Sequence, residues 1–301
     1  MNTKTEQARI VLWRGMRVAC CCITIMALVV GCRRGEQPPS ATEAGGNPFV
    51  KTPAALDRAL LLYQDGEGIL LSRPAAGEAP RRVAPGGRYP RWLSDGRHFV
   101  FIRGNDVLLH DLDDGSEIVL ASPGKPGAVA VNAVGDDVFF IADRAVYRVR
   151  GAVAKGELPR VEAVLQGADF REIAIHGDRI VTTTGIPLRG YGVYVHEPPY
   201  GDERRLGKGC SAGLSPDGTL ATINLDGHTE LALIDVASGE RRGVVPAPAG
   251  RQLDNQCWSN HPDWIAAVSH ENRVYLQRVP DGAVWAVVGP EGDRPSLFVP
   301  R

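Results

Sequence analysis

Residues 88–120 read RYPRWLSDGRHFVFIRGNDVLLHDLDDGSEIVL, and residues 209–245 return the same grammar as GCSAGLSPDGTLATINLDGHTELALIDVASGERRGVV. Each copy runs through an apolar segment ending in Trp or Leu, a Ser-(Pro)-Asp-Gly turn, a second apolar segment and a polar loop. A third segment then closes on Asp, and a Gly-containing turn leads to the last one. Asp-Gly suits a tight hairpin because Gly accepts φ > 0 and Asp tolerates it. Short runs rich in Val, Ile, Leu and Phe between such turns read as strands, so each copy is a four-stranded antiparallel unit. The turn between first and second strands recurs at Asp95, Asp136, Asp178, Asp217 and Asp263, at spacings of 41, 42, 39 and 46 residues. Four strands in a period of about 40–45 residues specify a blade of a β-propeller.

Those five turns define five inner strands, and the C-terminus supplies a sixth. GDRPSLFVPR at 292–301 repeats the start of the blade at 87–92, GRYPRW, whereas residues 59–83 hold three strands with no inner strand before them. The expected fold is therefore all-β: a six-bladed propeller over 58–301, in which the last strand completes the first blade. Such closure leaves no open sheet edge in the ring.

The composition agrees, with 44% hydrophobic and 23% charged residues in a chain of 301, which is globular rather than disordered. Its 35 Gly and 22 Pro, spread at regular intervals, suit many short strands and exclude a helical bundle. A net charge of -1, with no basic stripe interleaved with aromatics, argues against a nucleic-acid partner. The first 17 residues carry Lys4, Arg9, Arg14 and Arg17 and lead into the apolar run VACCCITIMALVVG. That run is shorter than the roughly 20 residues a bilayer-spanning helix needs, so a cleaved secretory leader is expected over 1–31. Residues 32–57, polar and rich in Pro, Gly and Ala, read as a flexible linker.

Two resemblances extend this reading. Val29-Val30-Gly31-Cys32 resembles the lipobox of bacterial lipoproteins, which implies a lipid (diacylglyceryl and fatty acyl groups such as palmitate) on Cys32 and a membrane-anchored envelope protein. Arg33, where an Asp would signal inner-membrane retention in the enterobacterial sorting rule, points to the outer membrane, with the propeller facing the periplasm or the cell surface. Trp92-Leu93-Ser94-Asp95-Gly96 and Leu214-Ser215-Pro216-Asp217-Gly218, followed by Asp111 or Asp235 and then a Gly turn, resemble the WD40-like repeat of TolB-type propellers. The resemblance covers residues 58–301 and implies the fold, with little about function; the expected module is monomeric, non-enzymatic and protein-binding, without a cofactor, and the TolB likeness points to another envelope protein as its partner.

Within a blade, the loops between second and third strands share a face with the loops between blades. Arg103, Asn105, Asp143, Arg189, Tyr191, Asn224, His228 and His270 fall on that face and form the candidate binding surface, with an envelope protein as the expected partner. His261 falls in a first hairpin turn, on the opposite face. No histidine shows metal-ligand spacing, so no metal is expected. Gly209-Cys210-Ser211-Ala212-Gly213 matches G-x-S-x-G, but a β-hairpin follows it rather than a helix, which excludes the hydrolase nucleophile elbow. Beyond Cys32, the mature chain would keep Cys210 and Cys257 on inner strands of adjacent blades. In an oxidising envelope a disulfide is open to them. Alignment on Asp217 and Asp263 offsets them by one residue, and alignment on Ser215 and Ser259 offsets them by three, which would put a bridge out of reach. The alternative function is a carbohydrate-binding or polysaccharide-active propeller. Resemblance to oligogalacturonate lyases would require a metal-binding histidine cluster over the channel, and glycan binding would use exposed aromatics, for which Tyr191 and Tyr200 are the candidates.

Overall fold

The computed structural model describes residues 53–152, 159–186, 190–225, 227–247, 251–286 and 292–300. Cys32 and Arg189 lie outside them. Among the described residues, no helix is long and apolar enough to cross a membrane.

Six four-stranded antiparallel sheets form the ring. The first blade contains β1 (Leu60–Gln64), β2 (Gly68–Ser72) and β3 (Arg81–Pro85); the second β4 (Arg88–Trp92), β5 (His98–Arg103), β6 (Asp106–Asp111) and β7 (Glu117–Ala121). Blade 3 is β8 (Val129–Val131), β9 (Val138–Ala142), β10 (Ala145–Arg150) and β11 (Arg160–Gln166). Blade 4 is β12 (Phe170–His176), β13 (Arg179–Ile186), β14 (Gly190–His196) and β15 (Glu203–Lys208). Blade 5 is β16 (Cys210–Leu214), β17 (Leu220–Asn224), β18 (Glu230–Asp235) and β19 (Arg241–Pro246). Blade 6 is β20 (Leu253–Trp258), β21 (Trp264–Ser269), β22 (Val274–Arg278) and β23 (Val284–Ala286), and β24 (Asp293–Phe298) follows it. The order β24-β1-β2-β3 shows the expected closure, with Leu61 opposite Leu297 and Leu62 opposite Ser296.

There is no single core. Successive side chains of an inner strand point to opposite faces of its sheet, so each blade feeds two seams. Phe99 and Phe101 pack with Leu62 and Ile69 against blade 1, whereas Val100 and Ile102 pack with Val138 and Phe140 against blade 3. Phe139 and Ile141 then turn the other way, toward Ile173 and Ile180 of blade 4. Further clusters fill the seams between blades 4 and 5, 5 and 6, and 6 and 1. This double burial leaves the middle strands β9 and β21 buried at every position, while the outermost strands β11 and β19 are mostly exposed.

The first hairpin turns lie on what we call the lower face, where side chains bolt blade to blade. Asp95 accepts the backbone N–H groups of Arg97 and His98 within its own turn. Asp136 accepts Ser94 N–H and Oγ from the neighbouring blade. Asn132 exchanges two hydrogen bonds with the backbone of Gly177, and Asn260 does the same with Val299 at 2.7 and 2.8 Å. Gly96, at φ +63, leaves room for the Phe298 ring beneath the turn of blade 2. Both ends of the propeller chain are on this lower face. The folded body begins somewhat before residue 58: Ala54–Leu56 form a 3-10 turn, and Leu56 is fully buried with Trp264 and Val299.

Candidate functional site

On the upper face, four inner strands begin alike. Arg88-Tyr89, Cys210-Ser211, Asp254-Asn255 and Asp293-Arg294 each open with an in-register residue followed by one at φ between 49 and 56, where the pairing slips by a bulge. A bulge re-aims the side chains around it. Tyr89, Asn255 and Arg294 line the central channel with Glu172, whereas Ser211 turns its hydroxyl to Asp254. In the channel, Arg294 of blade 1 reaches across the ring to Glu172 of blade 4 at 2.8 Å and lies 4.6 Å from the Tyr89 ring centroid. Glu172 also accepts Thr183 Oγ1, whose oxygen in turn accepts the Ala212 N–H. A polar plug tied to opposite blades thus closes the axis.

At the rim, the equivalent residues of blades 5 and 6 are Cys210 and Asp254, and the loop between β17 and β18 brings His228 between them. Cys210 Sγ lies 3.6 Å from His228 Nε2, and Asp254 Oδ1 lies 4.0 Å from His228 Nδ1. One donor atom from each of the three residues falls within 4.8 Å of the others. His228 Nδ1 faces the Leu253 carbonyl at 3.2 Å. Because a carbonyl only accepts, Nδ1 carries the proton and the Nε2 lone pair is turned toward the thiol. The loop is stitched to β20 by a backbone bond from Leu253 N–H to His228 O, and His270 packs edge-on to His228 with centroids 5.2 Å apart.

Asp254 Oδ1 accepts Ser211 Oγ–H, Asn224 Nδ2–H and Asn255 N–H. Asn224 also donates Nδ2–H to Leu253 O, which orients its amide and leaves a buried Oδ1 with no hydrogen-bond partner. Burial, with the nearby Asp254 carboxylate, pushes the Cys210 thiol up to about 11. Gly209, at φ +142, lets β16 approach Asn224 so closely that a Cβ there would collide with the Asn224 carbonyl. Beside these groups a recess of about 230 Å³ opens to solvent, lined by Tyr191, Lys208, Cys210, Asn224 and His228 among others.

The structure thus brings together Tyr191, Asn224, His228 and His270 from the expected face. It keeps Arg103, Asn105 and Asp143 apart from them, on blades 2 and 3. Arg103 pairs with Glu117; Gly104-Asn105 and Asp143-Arg144 are the tips of two-residue hairpins. Two expectations need correction. Tyr200 belongs to the lower face, since its hydroxyl donates to Asp178 O in the first turn of blade 4, so it cannot join Tyr191 in one sugar site. Cys210 and Cys257 are free thiols: Cys257 pairs with Ala266 as Gly213 pairs with Thr222, which is the three-residue offset, and the two sulfurs sit at different heights. Asp254 was missed in the sequence, although the same alignment on Ser215 and Ser259 places it level with Cys210.

No family model and no curated protein matches the chain by sequence. Similarity appears in three dimensions. TolB from Acinetobacter baumannii superposes with a TM-score of 0.61 at 18% identity, covering 81% of this chain and 67% of that one. A TolB from Agrobacterium tumefaciens gives 0.61 at 16% identity, covering 78% and 90%. A chain of a nidogen–laminin complex gives 0.61 at 11% identity, covering 79% and 98%. Identities this low speak to the fold alone, and in its fold this chain is a TolB-like six-bladed β-propeller.

Proposed function

We propose that the chain is a bacterial envelope lipoprotein, anchored through a lipid on Cys32, whose propeller serves as a docking module for another envelope protein. The leader composition, the lipobox-like Val29–Cys32 and the TolB-like fold support the reading. The observation that carries the docking role is the upper-face recess. An aromatic residue, Tyr191, 47% exposed, stands there beside polar groups on a rigid scaffold, and exposed aromatics with a polar tip are enriched at protein interfaces. The described chain enters the propeller on the lower face, and the recess opens on the opposite face.

In-cell cross-linking followed by affinity capture tests this. One envelope protein is expected from the unaltered protein, with recovery reduced by Tyr191→Ala and by Cys32→Ala. An identical set of captured proteins from all three forms would refute the reading.

A further inference from the structure

The Cys210–His228–Asp254 cluster is unlike anything a docking surface requires. Its donors come from the start of β16, the β17–β18 loop and the start of β20, two of them at the same bulge of adjacent blades. From these positions we infer that the cluster is a binding site for a divalent transition-metal ion of the zinc class, with Cys210 Sγ, His228 Nε2 and the Asp254 carboxylate as ligands and a fourth position open to the recess. The inference does not depend on the propeller docking a protein.

Four observations support it. First, the spacing fits. Zn–S of about 2.3 Å and Zn–N of about 2.0 Å at a tetrahedral angle place sulfur and nitrogen about 3.5 Å apart, against 3.6 Å between Cys210 Sγ and His228 Nε2. One donor atom of each of the three residues lies within 4.8 Å of the others, and the Asp254 carboxylate, 4.0 Å from His228 at Nδ1, has to swing toward Nε2 to ligate at the usual distance.

Second, the tautomer is set for the task. A ligating histidine commonly donates its other ring N–H to a carbonyl or carboxylate, which fixes the ring and raises its basicity; His228 Nδ1 does this toward Leu253 O. Third, the carboxylate is oriented from outside, because Ser211, Asn224 and the Asn255 N–H all bind Oδ1, leaving Oδ2 for a ligand. Fourth, Asn224 is 1% exposed and lines the recess, and its Oδ1 has no partner. A buried carbonyl oxygen without a donor is costly, and a metal-bound water in the open position would supply one.

The donor set selects the metal. Thiolate and imidazole suit zinc, whereas magnesium and calcium require oxygen-rich shells. Binding replaces the thiol proton by the metal and releases that proton to solvent. Three protein ligands plus an open position is the pattern of zinc sites that also hold a water or an exogenous ligand.

The test uses the full chain in detergent with Cys20, Cys21, Cys22, Cys32 and Cys257 replaced by Ser, so that Cys210 is the only thiol. After chelation, the protein is titrated with Zn²⁺ against a chromophoric competitor and separately with Co²⁺. The expected result is one equivalent of Zn²⁺ and a near-ultraviolet thiolate-to-cobalt absorption band. Cys210→Ser should abolish the band, and His228→Gln should weaken Zn²⁺ binding by about 100-fold, at least as much as losing an outer-shell partner costs. The cobalt band on this single-thiol protein needs no substitution at the site itself, and its urea midpoint, compared with that of the unaltered chain, shows that it is folded. Absence of stoichiometric binding, a cobalt spectrum without the thiolate band, or affinity that survives both substitutions would overturn the inference.

Discussion

His196 provides a test of the packing in blade 4. It is 3% exposed on β14, its Nε2 lies 2.9 Å from Thr182 Oγ1, and the Phe170 ring meets it edge-on with centroids 6.2 Å apart. Its neighbours across the sheet are Ile180 and the exposed Glu203. Burial alone lowers it from 6.5 to about 4. An imidazole that stays neutral in the folded state while it protonates in the unfolded chain gives stability that is complete above pH 6.5 and lost as pH falls toward the folded value. At about 1.4 kcal/mol per pH unit, the loss amounts to about 3 kcal/mol. His196→Gln keeps a group able to bond Thr182 and does not titrate. Urea unfolding of both proteins between pH 4 and 8 should therefore give a stability difference that is flat above about pH 7. Below it, the difference should shift against the parent at about 1.4 kcal/mol per unit. The lowered carboxylates do not confuse this window. Asp65 is held at about 2 chiefly by Arg82, Asp281 at about 2 by Arg278, and Asp235 at about 2 by the Ser238 N–H and Arg242, so their stabilisation is lost only below about pH 4. A difference independent of pH, or one moving in the parent's favour as the solution is acidified, would refute the reasoning.

Three further outcomes follow from the ring. Leu297 is 2% exposed on the closing strand, so Leu297→Ala should cost about 3 kcal/mol in urea unfolding; a cost below about 1 kcal/mol would mean that β24 frays and the ring is open. Asn260→Ala leaves both Val299 N–H and Val299 O without partners and should cost about 2 kcal/mol, measured as a lowered urea midpoint with unchanged m. In the channel, a double-mutant cycle of Glu172→Gln and Arg294→Met should give a coupling of about 2 kcal/mol, and additive losses would show that the ion pair across the axis carries no energy.

The repeat carried most of the architecture. The Ser-Asp-Gly turns, the period near 40 residues and the likeness of 292–301 to 87–92 located the blades and the closing strand, because hairpin chemistry is local. The seams were legible for a related reason: a run such as VFFIA has no polar position because both of its faces are packed. The site was less legible. The topological rule placed Asn224, His228 and His270 on one face, but it could not show which of eight loop residues would meet. Asp143 and Asn105 are turn residues of two-residue hairpins in blades 3 and 2, away from the recess. Asp254 escaped because DNQCWS shares only its Ser with CSAGLS, and the bulge that brings Cys210 and Asp254 level is a backbone event with no residue signature, since Tyr89, Ser211, Asn255 and Arg294 all adopt it.

That bulge explains how a repetitive fold arrives at a single asymmetric site. Four blades carry the bulge at the upper end of the inner strand, so the ring offers equivalent backbone positions that differ in side chain. In blades 1 and 4 the sequence fills the axis with an arginine and a glutamate, which neutralise one another across it. In blades 5 and 6 it places a thiol and a carboxylate at adjacent rim positions, and the β17–β18 loop turns through Gly227 and His228, both at positive φ, to set an imidazole between them. Neither blade builds the cluster alone, because blade 5 supplies Cys210 and His228, 3.6 Å apart, and blade 6 supplies Asp254. The seam between blades is where strands of different sheets run side by side at the height the bulges set. The cluster, like the hydrophobic cores beneath it, therefore belongs to a seam, and stability of the blade 5–blade 6 contact and occupancy of the site should rise and fall together.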